Sequence, residues 1–140
     1  MQRRRGAQNL KILLAEDNPI NLMLTRELLR RRGHTTTDVT SGDKAVKALE
    51  TQDFDILLTD IHMPGMDGIE ATRAIRENEI ANGRPRIPIV ALTADALETG
   101  KRACADAGMD GFLTKPIDPA ELEEMLDAIF PADEPRSAAA

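Results

Sequence analysis

Apolar residues along this chain alternate between two rhythms. "KILLA" (11–15) is a short apolar strand, and Ile56, Leu57 and Leu58 follow one another without polar alternation, which predicts a strand buried on both faces. The following "NPINLMLTRELLRRRG" has helix chemistry, with Asn18 as cap, Pro19 at the first helical position and Gly33 as the stop after a basic last turn. "TTTDVT" (35–40) is β-branched and strand-like. "SGDKAVKALETQ" (41–52) sets Ala45, Val46 and Leu49 at helical spacing. The alternation continues with strand "FDILLT" (54–59), helix "GIEATRAIRENEIA" (68–81), strand "IPIVALT" (87–93) and helix "ADALETGKRACADAG" (94–108). Strand "MDGFLT" (109–114) and helix "DPAELEEMLDAIF" (118–130), capped by Asp118, complete it. Residues 1–9 and 131–140 read as tails or linkers, which leaves one domain over 10–130.

Five strand–helix units with short connections predict an α/β fold, a doubly wound parallel sheet covered on both faces through right-handed crossovers. Such sheets place their sites at the carboxyl ends of the strands. The first strand ends in Glu16-Asp17, the third in Asp60, the fourth in Thr93, and the fifth leads into Lys115-Pro116. Three carboxylates meeting at one edge repel unless a cation lies among them. Oxygen ligands without His or Cys point to Mg²⁺, which binds phosphoryl oxygens readily. A lysine and a hydroxyl beside the acids supply the point charge and donor that an incoming phosphoryl group needs. Asp60 is then the expected nucleophile, Glu16 and Asp17 the metal holders, and Lys115 the neutralising charge.

Composition narrows the field. With 24 acidic and 18 basic residues the 140-residue chain has a net charge of −6, which argues against direct binding to nucleic acid. Three Phe with no Trp or Tyr leave few surfaces for stacking bases. The single cysteine, Cys104, forms no disulfide framework and reads as a small buried residue in a reducing compartment. No run has signal-peptide or membrane-spanning character, so a cytoplasmic protein without direct membrane contact is expected. His34 reads as a surface residue, and the His62 side chain as solvated at the rim of the site. The "RRR" runs at 3–5 and 30–32 read as a solvated tail and as a helix end favoured by the helix dipole.

The acidic pair in "LLAEDN", the segment "TDIHMPGMDG", the strand end "ALTA" and "GFLTKPI" occur here in order. Together they make residues 10–130 resemble the receiver domain of two-component response regulators. "AEDNPIN" with "KPI" is most similar to receivers attached to hybrid sensor histidine kinases. The resemblance implies a flavodoxin-like sheet of strand order 2-1-3-4-5 with five helices. It implies that Asp60 takes a phosphoryl group from a phosphohistidine, with Mg²⁺ held by Glu16, Asp17, Asp60 and the backbone carbonyl of His62. Thr93 matches the hydroxyl residue that moves toward the phosphoryl group, and Lys115 the family lysine, followed by a cis Lys115-Pro116 bond. Phe112 matches the aromatic switch position, where Phe offers packing but no phenolic hydroxyl. Expected partners are a histidine kinase or a histidine phosphotransfer protein, with the domain a monomer or weak homodimer. The isolated domain is not expected to be an enzyme beyond its own phosphorylation and dephosphorylation. A hybrid kinase is the expected parent chain.

Two other readings stand beside this one. An aspartyl-phosphate phosphatase or phosphotransferase needs a second acid two residues after its nucleophile, where this chain has His62. A degenerate receiver acting only as an interaction module would lack Asp60, Lys115 or a metal acid, and all are present. On the first helix Ile20, Met23, Leu24 and Leu28 form one stripe, with Leu22 and Leu29 nearly opposite. One sheet face does not bury both sides, so Ile20, Leu22 and Met23, nearest the site, are expected to dock a helical partner.

Overall fold

The computed structural model of the protein describes residues 9–94 and 98–130, the side chains of 98–101 excepted. The expected tails at 1–8 and 131–140, and residues 95–97 of the expected fourth helix, lie outside the described residues. The described elements are β1 (Lys11–Ala15), α1 (Pro19–Arg31), β2 (Thr35–Val39), α2 (Gly42–Thr51), β3 (Ile56–Asp60) and α3 (Gly68–Asn82). They continue with β4 (Ile89–Thr93), α4 (Glu98–Ala107), β5 (Gly111–Thr114) and α5 (Pro119–Ile129). The strands form one sheet in the order β2-β1-β3-β4-β5, and every neighbouring pair is parallel.

The unbroken apolar runs follow from this topology. Successive side chains of a strand point to opposite faces, and both faces of the central strands are covered. Ile12, Leu14, Ile56, Leu58, Val90 and Leu92 enter one core with Leu29 of α1 and Leu122 and Leu126 of α5. Leu13, Leu57, Ile89 and Ala91 enter the other with Ala45 of α2, Ile75 of α3 and Cys104 of α4. Each fully buried leucine or isoleucine contributes about 1.5–3 kcal/mol relative to exposure. The edge strand β2 has no such run: its Thr-rich residues are half-buried or exposed. Cys104 is buried as expected, and burial pushes its thiol pKa up. Among the described residues no helix is long and apolar enough to cross a membrane.

The caps expected at Asn18 and Asp118 form. The Asn18 side chain accepts from the backbone N–H of Ile20 and Asn21, and that of Asp118 from Ala120. Gly33 (φ +87°) follows α1 and turns the chain under β1. That turn overturns the surface reading of His34. His34 is buried, and its Nδ1 accepts from the Leu10 N–H at 3.1 Å, while the Thr35 N–H donates to the Leu10 carbonyl at 3.0 Å. A histidine three residues past a helix end looks solvated in sequence, because the pairing with Leu10 is 24 residues distant.

Burial, with a smaller contribution from the Arg32 charge, lowers the His34 pKa. The unfolded chain therefore takes the proton more readily than the folded one. His34 contributes stability above its unfolded pKa that is lost as the pH falls through the folded value. Urea unfolding followed by circular dichroism should show stability falling as the pH drops below about 6.5. His34→Asn, which keeps an acceptor for Leu10, should flatten that fall. His34→Ala should cost about 1–3 kcal/mol at neutral pH by leaving a buried N–H unpaired. Equal pH slopes in wild type and His34→Asn would remove His34 as the cause.

Candidate functional site

Four parallel strands deliver the candidate residues to one edge. Glu16 and Asp17 follow β1, Asp60 ends β3, Thr93 ends β4, and Lys115 follows β5. Ligand oxygens of Glu16, Asp17 and Asp60 lie within 4.8 Å of one another. The Lys115 ammonium donates to Glu16 Oε1 at 2.9 Å and to Asp60 Oδ2 at 3.0 Å. The Lys115 N–H donates to the Thr93 carbonyl at 2.7 Å, which ties the end of β5 to the end of β4. The Lys115-Pro116 bond is cis.

The two acids after β1 differ in setting. Glu16 is 0 % exposed, and its Oε2 accepts from the Asn18 N–H at 3.2 Å, whereas Asp17 is exposed. Because Asn18 caps α1 with its own side chain, the acidic pair is left for the cluster. Asp60 is buried, and its Oδ1 accepts from the His62 N–H at 3.2 Å. The His62 side chain is exposed and lines an open groove with Asp17, Met63, Pro64, Gly65 and Asp67.

The electrostatics express crowding of like charge. Burial raises the Glu16 pKa, the hydrogen-bonded Asp60 carboxyl raises it further, and Lys115 works against both. Burial also opposes the Lys115 ammonium, but its hydrogen bonds to Glu16 and Asp60 outweigh that and hold its pKa above the ordinary lysine value. Three carboxyl groups set against one ammonium give the half-buried site an acidic excess. An all-oxygen donor set with that excess fits a divalent hard cation such as Mg²⁺.

Two glycines shape the loop around the site, and the sequence reading missed both. A Cβ on Gly68 would lie 2.2 Å from the Asp60 carbonyl oxygen, and one on Gly42 would lie 2.4 Å from that of Met66. The Gly68 N–H donates to the Ile61 carbonyl, and the Gly42 N–H to that of Met66. The capping box at Asp67 and Glu70 then starts α3 directly behind Asp60. A glycine at each helix start was the only available signal.

Thr93 is buried at its strand end, and Phe112 is half-buried against the core under α2, α3 and α4. On α1 the exposed apolar residues are Ile20 (65 %), Met23 (52 %) and Leu24 (59 %). Leu22 instead packs, half-buried, against the core under α1 and α5, where Leu29 is fully buried. Of the expected stripe, Ile20, Met23 and Leu24 face solvent, while Leu28 is half-buried against the same core as Leu22. Thr25 and Leu29 mark the buried side of the helix, which a helical wheel alone does not identify.

A family model described as the response regulator receiver domain matches residues 12–127. The sensor protein GacS of Pseudomonas syringae pv. syringae is 43 % identical over 116 residues, which is 83 % of this chain and 13 % of that protein. RpfC of Xanthomonas campestris pv. campestris, a sensory/regulatory protein, is 32 % identical over 90 % of this chain and 17 % of its own length. The chain thus spans less than a fifth of these relatives. Among solved structures, the receiver domain of the Pseudomonas aeruginosa PAO1 sensor histidine kinase PA1611 superposes with a TM-score of 0.77 at 42 % identity. It covers 86 % of this chain and 96 % of that one, and it holds a magnesium ion in its active site cleft. The receiver domain of Saccharomyces cerevisiae Ssk1, solved with the histidine phosphotransfer protein Ypd1, gives a TM-score of 0.81 at 27 % identity, over 89 % of this chain and 90 % of that one. Fold, acidic cluster and family match agree over the same residues: the chain belongs to the response regulator receiver domain family.

Proposed function

We propose that this chain, over residues 10–130, is a phosphoacceptor that takes a phosphoryl group from a phosphohistidine onto Asp60. The observation that carries the reading is the set of three carboxylates within 4.8 Å, two of them hydrogen-bonded by one lysine. Glu16, Asp17, Asp60 and the His62 carbonyl would hold Mg²⁺, which when bound supplies positive charge to the phosphoryl oxygens. The magnesium in the PA1611 receiver supports this choice of ion.

In the transfer, an Asp60 carboxylate oxygen attacks phosphorus in line. A P–O bond forms, the P–N bond to the donor imidazole breaks, and the electron pair leaves with the imidazole. Lys115 holds the Asp60 oxygen before reaction and offsets charge on the phosphoryl oxygens during it. The acyl phosphate brings nearly two negative charges to the sheet edge. The Thr93 hydroxyl is drawn toward it, Phe112 repacks, and α4, β5 and α5 present a different surface. A thousandfold population shift requires about 4 kcal/mol, which a few charge-assisted hydrogen bonds can supply.

The exposed α1 stripe supports a docking role, with Ile20, Met23 and Leu24 now the foremost residues and Leu22 behind them. The Ypd1–Ssk1 complex supports a histidine phosphotransfer protein or a histidine kinase as the partner class. GacS and RpfC support a hybrid kinase as the parent chain. In this reading the domain is cytoplasmic, monomeric or weakly dimeric, and catalyses only its own modification.

With Mg²⁺ in excess, acetyl phosphate should add one phosphoryl group, seen by intact mass, and EDTA should prevent it. Asp60→Asn should abolish the adduct, and Lys115→Ala should slow its formation about 100-fold or more. A folded protein that stays unmodified overturns the proposal.

Replacing Ile20, Met23 or Leu24 by Glu should slow transfer from a phosphohistidine protein about tenfold or more, as at an interface hot spot. Labelling by acetyl phosphate should be unchanged. Equal loss with both donors would end the docking assignment.

A further inference from the structure

At the opposite end of the sheet from the phosphorylation edge lies a second charged network, with Arg76 and Glu79 buried and Asp110 and Arg86 exposed at its rim. Arg76 of α3 is 9 % exposed, and its guanidinium joins three segments. Its Nε and Nη2 donate to the Gly108 carbonyl at 3.0 and 2.8 Å, Nη2 also to Asp110 Oδ2 at 2.9 Å, and Nη1 to the Ile87 carbonyl at 2.7 Å. Nη1 is also paired with the Glu79 carboxylate. The acids are shared in turn. Glu79 Oε2 accepts from the Ile87 N–H, Asp110 Oδ2 from the Ile89 N–H, and Asp110 Oδ1 from Arg86. Gly108 (φ +105°) closes α4, and a Cβ there would meet Arg76 Cγ at 3.0 Å. The arginine thus locks the place where α4 ends and β5 begins to α3 and to the start of β4.

The Arg76–Glu79 pair at its buried centre is a weak source of net stability, because desolvation offsets most of its attraction. What it fixes is geometry, since the planar guanidinium fork accepts few alternative arrangements. β5 leaves this locked turn, carries Phe112, and reaches Thr114 and Lys115, where the backbone is bonded to Thr93. We propose that Arg76 is the fulcrum of the switch. As a positioning residue, it holds the α4–β5 turn still, so that displacement at Thr93 is converted into rearrangement of the α4, β5 and α5 surface and not absorbed in the turn. This inference rests on the phosphorylation-driven switch proposed above. It adds the residue that couples the site to the surface.

The test is a ¹H–¹⁵N titration of the whole chain with beryllofluoride and Mg²⁺. The amides of His62 and Lys115 report the site, and those of Gly111–Leu113 and α5 report the surface. In Arg76→Lys and Asp110→Asn, the apparent affinity at the site should stay within about twofold of wild type, as for distant groups without shared partners. The fraction of surface amides shifted at saturation should fall about twofold or more. If site and surface shift together in wild-type proportion in each folded variant, Arg76 is only a structural tie and the inference is overturned. If Arg76→Lys does not fold, Asp110→Asn decides by the same criterion. A wild type in which neither group of amides responds would instead overturn the phosphoacceptor reading.

Discussion

The structure depends on holding like charges together at the edge of a sheet. Glu16, Asp17 and Asp60 repel, yet the ends of β1 and β3 and Lys115 keep their oxygens within 4.8 Å. A loop scaffold would relax that crowding by drifting apart. A parallel sheet does not, because the registers of β1 with β3 and of β3 with β4 fix Asp60 relative to its neighbours. The lysine, arriving from β5, reaches 99 residues along the chain to Glu16. The edge is therefore poised: a cation or a proton would relieve the same excess of negative charge.

Rigidity elsewhere makes that poise useful. The central strands are sealed by apolar side chains on both faces, so an added charge at the edge cannot be relieved by deforming the sheet. The base of the sheet is tied by polar contacts of a different kind, at His34 with Leu10 and at Arg76 with Gly108 and Asp110.

Much of this was legible in the sequence because it was local. Ile56, Leu57 and Leu58 follow one another without polar alternation, and that says a strand is covered on both sides. Asp60 after such a run stands at a strand end, and the same reasoning collects Glu16, Asp17, Thr93 and Lys115. Asn18 and Asp118 announce helices by short-range capping. What stayed hidden was set by distant partners. His34 is buried because it pairs with Leu10, and no periodicity encodes that contact. Arg76 occupies an ordinary helical position whose meaning comes from Gly108 and Asp110, 32 and 34 residues on. Leu22 and Leu24 exchange places because a wheel gives the angle between stripes but not which one the sheet covers.

The close approach at Gly68 has a consequence for anyone recombining such domains. The loop 61–67 forms a closed ring whose two ends meet backbone to backbone, with the Asp60 carbonyl against the Gly68 α-carbon and Met66 against Gly42. On the outward arc Pro64 and Gly65 are exposed, and Gly65 (φ +73°) takes a left-handed conformation that few side chains adopt. Gly42 and Gly68 must travel with the arc, because a methyl group at either one would wedge the ring open beneath Asp60. The transplantable unit is therefore the arc together with its seals, even though one seal lies on a different helix.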